Sequence, residues 1–244
     1  MNDCQALDNL LQSADDVGMD RFTMSKLIRK AWFAGLPTDL RAAIVQHGQV
    51  RVVKDSIVYA VGDPPNGLFA VLSGTVQISF TSSTGKPTLL IVARLGDWFG
   101  ETSFFDRGTR YSDALALGRV SLLHLDERAF LAITRDRPER YAAFVRLLCE
   151  HHRLAMDHIA SLGALPVAAR LAQRLLFFAK NDAENAPCRI VRFSQEQLAS
   201  TVGVSRQALS AHLKNLEQQH LIEIGYREIR LRNVPALARL VRAP

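Results

Sequence analysis

An arginine and a glutamine follow one another near the C-terminal end of the chain, at Arg206 and Gln207. Arginine can donate two hydrogen bonds to the O6 and N7 atoms of guanine, and glutamine can pair in a similar way with adenine. Such side chains reach base edges when they occupy the first turn of a helix lying in the major groove. Ser210 follows one turn later, so we expect it on the same face. This group therefore predicts recognition of double-stranded DNA.

Capping residues precede this group at two points. Ser194 is followed by Gln197, the spacing of a capping box, which predicts a helix beginning at Gln195. Ser205 stands directly before Arg206, is a favourable N-cap for a second helix, and is itself a candidate DNA contact. The first side chains of that second helix are then the candidate base-reading residues.

The spacing between the two helices is typical of a helix-turn-helix. Ala199 is small enough for the helices to cross closely, Gly203 permits the tight turn, and Leu209 anchors the second helix. Residues 221–224 and 228–231 flank a Gly-Tyr pair and predict a β-hairpin wing. The alternative is a three-helix packing motif that binds no DNA.

The net charge of +6 is unevenly distributed. Residues 166–244 carry 12 Lys and Arg against 6 Asp and Glu, while residues 1–165 are balanced at 18 of each. The entire excess lies beside the predicted DNA-binding motif, as expected if only that region meets phosphate.

Short β-rich runs separated by turn residues occupy the region from about residue 50 to 125. The runs are 50–53, 57–61, 68–72, 76–80, 89–93 and 120–125, with turns that include Ser73-Gly74. This regular spacing predicts an antiparallel roll or barrel.

A long helix is predicted after Pro138, extending to about Leu162. Residues that are apolar, except for His152, recur at alternating spacings of four and three positions: Tyr141, Val145, Leu148, His152, Ala155, Ile159 and Leu162. Such a heptad seam favours packing against an identical helix about a twofold axis. A helix packed on its own domain is the alternative. Pro166 ends this segment and marks a hinge.

Four segments in this order resemble the cyclic AMP receptor protein and fumarate–nitrate reduction regulator (Crp/Fnr) superfamily. They are Gly62–Pro64, Leu72–Val76, Leu95–Glu101 and Gly203–Gln207, within a resemblance that covers roughly residues 36–235. The resemblance implies a ligand-sensing β-roll, a dimerisation helix and a winged helix-turn-helix. It also aligns Ser194 and Gln195 with backbone-phosphate contacts, and it places Lys214 near another phosphate.

The resemblance further implies an effector cassette. In members that bind a cyclic nucleotide, a Gly-Glu pair opens a short helix, and a later arginine neutralises the phosphate. Gly100, Glu101 and Arg110 match that pattern, and Tyr111 and Ser112 follow it. The candidate effector site therefore comprises these five residues.

The cassette also departs from the family pattern. Tyr111 stands where the family's ligand binders have Ser or Thr, and Ala155 and Met156 align with their purine-contacting polar residues. Two alternatives remain open at this point. A cyclic nucleotide or another small anionic effector binds the roll, or the roll has become a scaffold in which Arg110 pairs with Asp113 or Glu101 while Tyr111 closes the cavity.

Other chemistries have little support in the sequence. Three dispersed cysteines cannot hold an iron–sulfur cluster, residues 50–123 contain neither Cys nor His for a haem, and no metal site is expected. No GxSxG, HExxH or Walker A motif is present, so an enzyme is not predicted. There is neither an apolar run long enough for a membrane span nor an N-terminal signal core, which predicts a cytoplasmic protein.

The expected fold is α+β in four parts. Residues 1–35 form an N-terminal helical extension, 36–137 a cyclic-nucleotide-binding-type β-roll, 138–165 the dimerisation helix and hinge, and 166–244 a winged helix-turn-helix. The expected function is that of a dimeric, sequence-specific transcription regulator, with or without a small effector. Its expected partners are DNA, a second copy of the chain and RNA polymerase.

Overall fold

The computed structural model describes residues 27, 31–81, 85, 87–179 and 189–242. Contacts divide the chain into two compact units. The first comprises the chain up to Ile78 together with Val92–His152, and the second comprises Ser79–Ile91 and Arg153–Pro244. The helical extension predicted for residues 1–35 lies mostly outside the described residues.

Short helices and strands alternate from residue 31 to residue 134. In chain order they are α1 (Ala31–Ala34), α2 (Thr38–His47), β1 (Gln49–Lys54), β2 (Ile57–Tyr59), β3 (Leu68–Thr81), β4 (Pro87–Ala93), β5 (Trp98–Phe99), α3 (Glu101–Asp106), β6 (Asp113–Leu125) and α4 (Glu127–Thr134). The predicted change from helices to β-strands at about residue 50 is confirmed.

The strands form one antiparallel sheet centred on β6. Its order is β1-β6-β3-β4, with β2 also paired to β6 and β5 to β3. The β1–β6 register runs from Gln49 opposite His124 to Lys54 opposite Arg119. A strand over 120–125 alone was predicted, but β6 spans 13 residues, because β1 and β2 pair with different parts of it.

The expected turn at Ser73-Gly74 was wrong. The two strands predicted on either side of it are one 14-residue strand, β3. Gly74 has φ +84° within that strand, and a Cβ atom there would lie 2.7 Å from the carbonyl oxygen of Arg119. The glycine is therefore needed because β3 passes close to β6, and it does not reverse the chain.

Helices α1, α2 and α4 cover an apolar core together with the start of the long helix that follows. Trp32 packs edge-to-face on Trp98 and tilted on Phe144, with ring centroids 5.1 and 5.7 Å apart. The Trp32 indole also donates to the carbonyl oxygen of Ala143 at 2.8 Å. Both tryptophans of the chain thus belong to the first unit.

Helix α5 (Tyr141–Ala164) is the predicted long helix, and a 3₁₀ turn (Pro138–Arg140) precedes it. Its buried side faces its own chain through residues such as Phe144 and Leu147. Four large side chains of the predicted seam remain exposed: Tyr141 at 40%, Val145 at 49%, Ile159 at 59% and Leu162 at 40%. This face is not covered by the described part of the chain.

The described residues between 167 and 242 form four helices and three strands. They are α6 (Val167–Ala179), β7 (Arg189–Arg192), α7 (Gln195–Val202), α8 (Arg206–Gln218), β8 (Ile222–Gly225), β9 (Glu228–Leu231) and α9 (Val234–Arg242). The strands form a sheet of order β7-β9-β8. The predicted wing is its β8–β9 hairpin, in which Gly225 pairs with Glu228.

Candidate nucleic-acid interface and effector cassette

The first helix of the predicted motif begins at the capping box. The Ser194 hydroxyl accepts a hydrogen bond from the backbone N–H of Gln197 at 3.1 Å. The Gln197 side-chain oxygen accepts from the N–H of Ser194 at 3.0 Å. These reciprocal bonds satisfy two backbone donors that a helix start leaves free. The predicted start of α7 at Gln195 is confirmed.

The turn between α7 and α8 depends on Gly203. Its φ of +76° is in the left-handed region, and the next N–H, that of Val204, donates to the carbonyl oxygen of Ala199 at 3.0 Å. Only glycine adopts this geometry without strain, which ends the first helix sharply. Ser205 then caps α8 by accepting from the N–H of Ala208 at 3.2 Å.

Helix α8 has two distinct faces. Leu209, Leu213 and Leu216 are buried against the rest of the unit, with 0–2% of their surfaces exposed. On the other face Arg206, Gln207 and Lys214 are exposed and Ser210 is half-buried. Because leucines every three to four residues fix the rotation of the helix, the candidate base-reading side chains project outward from its first turn.

The wing and the two helices line an open cavity of about 450 Å³. Ser194, Gln195 and Arg206 line it from the helices, and Tyr226 and Arg227 line it from the wing. The structure therefore brings three of the predicted DNA contacts together. Tyr226 and Arg227 were missed as site residues, although the Gly-Tyr pair had been assigned to the wing. Tyr226, at the turn of the hairpin, is 91% exposed.

Ion pairs divide the basic residues of this region into two groups. Arg230 pairs with Glu223 at 3.2 Å and Glu228 at 2.8 Å, and Arg232 also pairs with Glu223. The bonds from Arg232 lower the pKa of the Glu223 carboxyl. Within the described ranges, Arg206, Lys214 and Arg227 form no ion pair.

The paired arginines therefore brace the wing, and the unpaired cations are available to phosphate or base acceptors.

The effector cassette begins as predicted, at Gly100. This residue has φ +88° and precedes α3, whose first residue, Glu101, is only 5% exposed. The Glu101 carboxylate accepts a hydrogen bond from Nδ1 of His151, on α5, at 2.7 Å. Burial lowers the pKa of His151, but the hydrogen bond and charge of Glu101, with Asp97 and Glu150, outweigh burial and raise it. One oxygen of the Glu101 carboxylate therefore already accepts a hydrogen bond from a histidine of the same chain.

Arg110 lies inside the fold, with 2% of its surface exposed. Its Nη1 donates to the carbonyl oxygen of Gly100 at 2.6 Å, and its Nη2 donates to Asn66 Oδ1 and the carbonyl oxygen of Gly67, both at 2.7 Å. The guanidinium also lies 4.2 Å from the ring centroid of Tyr59. Burial lowers its pKa. These contacts hold the 66–67 loop against the start of α3.

The expected pairing of Arg110 with Asp113 or Glu101 was wrong. Asp113 instead accepts a hydrogen bond from the N–H of Val61 at 2.9 Å, and Glu101 is taken by His151. Two backbone oxygens and the side-chain oxygen of Asn66 accept from Arg110 in place of the carboxylates.

The expectation that Tyr111 closes the cavity was also wrong. Its side chain is 50% exposed and its hydroxyl hydrogen-bonds to Thr102. Ser112 is buried and hydrogen-bonds to the hydroxyl of Tyr59. Of the five cassette residues, Gly100 and Arg110 are joined by a hydrogen bond at 2.6 Å.

No helix within the described ranges has both the length and the apolar character needed to cross a bilayer. Over the same residues, no group of three or more His, Cys, Asp and Glu side chains is placed to hold a metal ion.

Comparison with known proteins matches both halves of the chain. Residues 49–137 match the cyclic nucleotide-binding domain, and residues 169–240 match the Crp-like helix-turn-helix domain. A cAMP-activated global transcriptional regulator of Mycobacterium tuberculosis, described as CRP-like, is 29% identical over 220 residues, covering 88% of this chain and 98% of that protein.

Solved structures of regulators have the same fold. A CRP-family transcriptional regulator of Thermus thermophilus is 25% identical, with a TM-score of 0.64 over 79% of this chain and 97% of that one. FixK2 of Bradyrhizobium japonicum superposes with a TM-score of 0.70 at 22% identity, covering 81% and 98%.

The β-roll and the winged helix-turn-helix together define a DNA-binding transcription regulator. The order of the two domains and the relatives that share it identify the family. The chain belongs to the CRP/FNR family.

Proposed function

We propose that this regulator acts as a homodimer on two DNA half-sites related by a twofold axis. Arg206, Gln207 and Ser210 would read base edges, and Lys214, Ser194 and Gln195 would hold phosphates. The observation that carries the proposal is the first turn of α8, where Arg206 and Gln207 are exposed and Arg206 lines an open cavity. Charged donors in this arrangement suit guanine and phosphate.

The exposed seam of α5 supports the dimer. Val145 and Ile159, at 49% and 59% exposed, lie about four helical turns apart on one face together with Tyr141 and Leu162. A soluble chain seldom leaves such a stripe uncovered, and a parallel copy of the same helix would cover it. This arrangement disfavours the alternative in which α5 packs only within its own chain. The site of action would be the cytoplasm, with RNA polymerase as a further partner.

The DNA experiment compares two substitutions of α8. Arg206→Ala removes one bidentate contact, so affinity should fall by roughly 1–3 kcal/mol and preference should relax at one base pair per half-site. Lys214→Ala removes a phosphate contact and should weaken all sequences about equally, with a smaller salt dependence. Fluorescence anisotropy with a randomised-site library measures both effects.

Arg135→Ala, an exposed change in the first unit, is the control and should leave affinity unchanged. An Arg206→Ala protein with wild-type affinity and sequence preference would show that α8 is not the recognition helix.

For the roll, we infer a scaffold that does not need a cyclic nucleotide to permit DNA binding. Arg110 already donates to three acceptors of its own fold, and Glu101 already accepts from His151. The Nε atom of Arg110 is buried without a partner, but a cyclic phosphate that drew the Nη atoms from their present acceptors would leave buried polar groups unpaired, at about 1–3 kcal/mol each. Regulation by a cyclic nucleotide is the second candidate, favoured by the domain match and by the cAMP-activated relative.

Titration calorimetry with cyclic AMP, cyclic GMP and cyclic di-GMP separates the two candidates. We expect no saturable heat, and DNA binding by the ligand-free protein. Micromolar binding of any of the three that Arg110→Gln abolishes, while Arg107→Gln leaves it intact, would establish the second candidate instead.

A further inference from the structure

The outer face of strands β1, β2 and β6 carries a row of exposed side chains. We call it the outer patch, and it consists of three cross-strand pairs along β6: Val52 with Ser121, Lys54 with Arg119 and Ile57 with Leu115. Val52, Ile57 and Leu115 are 51%, 59% and 37% exposed, and both cations are exposed as well. The β6 residues that alternate with the patch are buried on the other face: Ala114, Ala116, Val120 and Leu122.

The two cations of the outer patch face one another. Lys54 and Arg119 are directly opposite across the β1–β6 pair, an arrangement in which like charges repel. The nearest acid in sequence, Asp55, accepts a hydrogen bond from the N–H of Gly118 at 2.7 Å. Among the described residues, neither cation is paired with a carboxylate. Two adjacent positive charges beside exposed apolar side chains suit an occupant that is both acidic and apolar.

The same side of the strand pair is already covered at one end. Leu123, the next β6 residue on this side, and its partner Val50 on β1 pack in the core that also contains Leu27. A Cβ atom on Gly48 would lie 2.6 Å from the Leu123 side chain, so the turn after α2 lies directly against it. The cover therefore stops one cross-strand pair short of the outer patch.

The segment before Leu27, which lies outside the described part of the chain, has the composition of such an occupant. Residues 1–20 contain five aspartates and neither lysine nor arginine. Residues 21–165 carry the opposite excess, with 18 Lys and Arg against 13 Asp and Glu. Apolar residues recur in the segment at helical spacing, in keeping with the helical extension predicted from the sequence: Leu7, Leu10, Leu11 and Ala14.

The segment is long enough to reach the outer patch. Residues 21–26 separate it from Leu27 and span up to about 20 Å when extended. Arg119 lies four residues from Leu123 along β6, which is about 13 Å at the usual rise of a strand. Attachment to the same chain also gives the segment an effective concentration on the order of millimolar, which a separate acidic molecule would have to match.

We propose that the outer patch is the docking site of residues 1–20. Aspartates of the segment pair with Lys54 and Arg119, and its leucines cover the apolar side chains of the patch. DNA phosphates would satisfy the two cations but would leave Val52, Ile57 and Leu115 exposed to water. The same patch of a second copy would bring four cations together. The docking does not depend on the proposed DNA contacts of α8.

Zero-length cross-linking of the full-length protein tests this placement. A carbodiimide joins a carboxylate to a lysine Nζ in contact with it, and peptide mass spectrometry locates the amide. We expect Lys54 to be linked to aspartates of residues 1–20 within one chain, in several-fold higher yield than Lys214, which is exposed on α8. Salt at about 1 M, where the Debye length is about 3 Å, should reduce the Lys54 link.

Two double variants separate the outer patch from general charge effects. Arg119→Gln with Ile57→Ser removes one cation and one apolar side chain of the patch, and should lower the yield about tenfold. Arg51→Gln with Leu131→Ser is the matched control and should give the wild-type yield. Arg51 is exposed on β1 but alternates with the patch residues, and Leu131 is exposed on α4.

Equal yields in the two double variants would mean that the links form by random collision, and would overturn the proposal. Mixing isotopically labelled and unlabelled protein identifies links between chains, which would place the segment on a second copy instead. If Lys54 forms no link, the proposal also fails. Shielding of Lys54 from acetylation on addition of DNA would then assign the patch to phosphate, and no shielding would leave it to a separate acidic protein.

Discussion

Replacing Arg110 with methionine should destabilise the first unit, because this arginine holds the fold together. Methionine is similar in length but donates no hydrogen bond. It would leave the carbonyl oxygens of Gly100 and Gly67 and the side-chain oxygen of Asn66 without their present donor, at distances now of 2.6–2.7 Å. The 4.2 Å contact with the Tyr59 ring would also be lost.

The expected magnitude follows from these contacts. Each hydrogen bond from a charged donor contributes about 1.5–3 kcal/mol, and a desolvated cation–π contact contributes about 2 kcal/mol. Burying the guanidinium offsets several kcal/mol of this sum. Because three neutral buried oxygens lose their donor, at about 1–3 kcal/mol each, the net loss in the free energy of unfolding should be about 3–5 kcal/mol.

Tryptophan fluorescence measures this loss without interference from the DNA-binding half. The chain has two tryptophans, and both Trp32 and Trp98 lie in the first unit. With a urea m-value of about 2 kcal/mol/M, the midpoint of the fluorescence transition should fall by roughly 1.5–2.5 M.

Arg107→Met provides the matched control from the same cassette. Arg107 pairs with Glu127 at 2.8 Å, but both side chains are more than half exposed, so its loss should change stability by less than about 1 kcal/mol. If Arg110→Met unfolds within about 0.5 M urea of the wild type while Arg107→Met behaves as expected, the arginine is not a structural clamp. Arg110 would then be free to meet a ligand.

Two further outcomes follow from α5. Replacing Leu148 and Ile159 together with glutamate should place like charges in the seam and yield monomers that bind DNA poorly; a double variant that still sediments as a dimer would refute the seam. The charged His151–Glu101 pair should stabilise the first unit fully below pH 6.5 and progressively less as pH rises through the raised pKa of His151. Urea midpoints of tryptophan fluorescence should fall by more between pH 6 and pH 9 in the wild type than in His151→Gln, which keeps the opposing contribution of His124, whose pKa burial lowers.

Local signals were enough to define the DNA-binding half. The Ser194 and Ser205 caps, the left-handed Gly203 and the leucine spacing of α8 each act within a few residues, and each is present in the structure. Because a helix and a tight turn are determined by neighbours in sequence, their chemistry can be read from one chain. The position of Arg206 in the first turn of α8 follows directly.

The sheet and the cassette depended on residues far apart in sequence. Gly74 had the sequence signature of a turn, but the close approach of β6 makes it a kink within β3. Arg110 had the signature of a phosphate ligand, but the loop at Asn66 and Gly67 offers it acceptors 43–44 residues away. Likewise Glu101 meets His151 from 50 positions further along. The sequence by itself determined which side chains are present and which helices carry them. Only the tertiary structure decided their partners, because a buried charge pairs with whatever the fold brings within hydrogen-bonding distance.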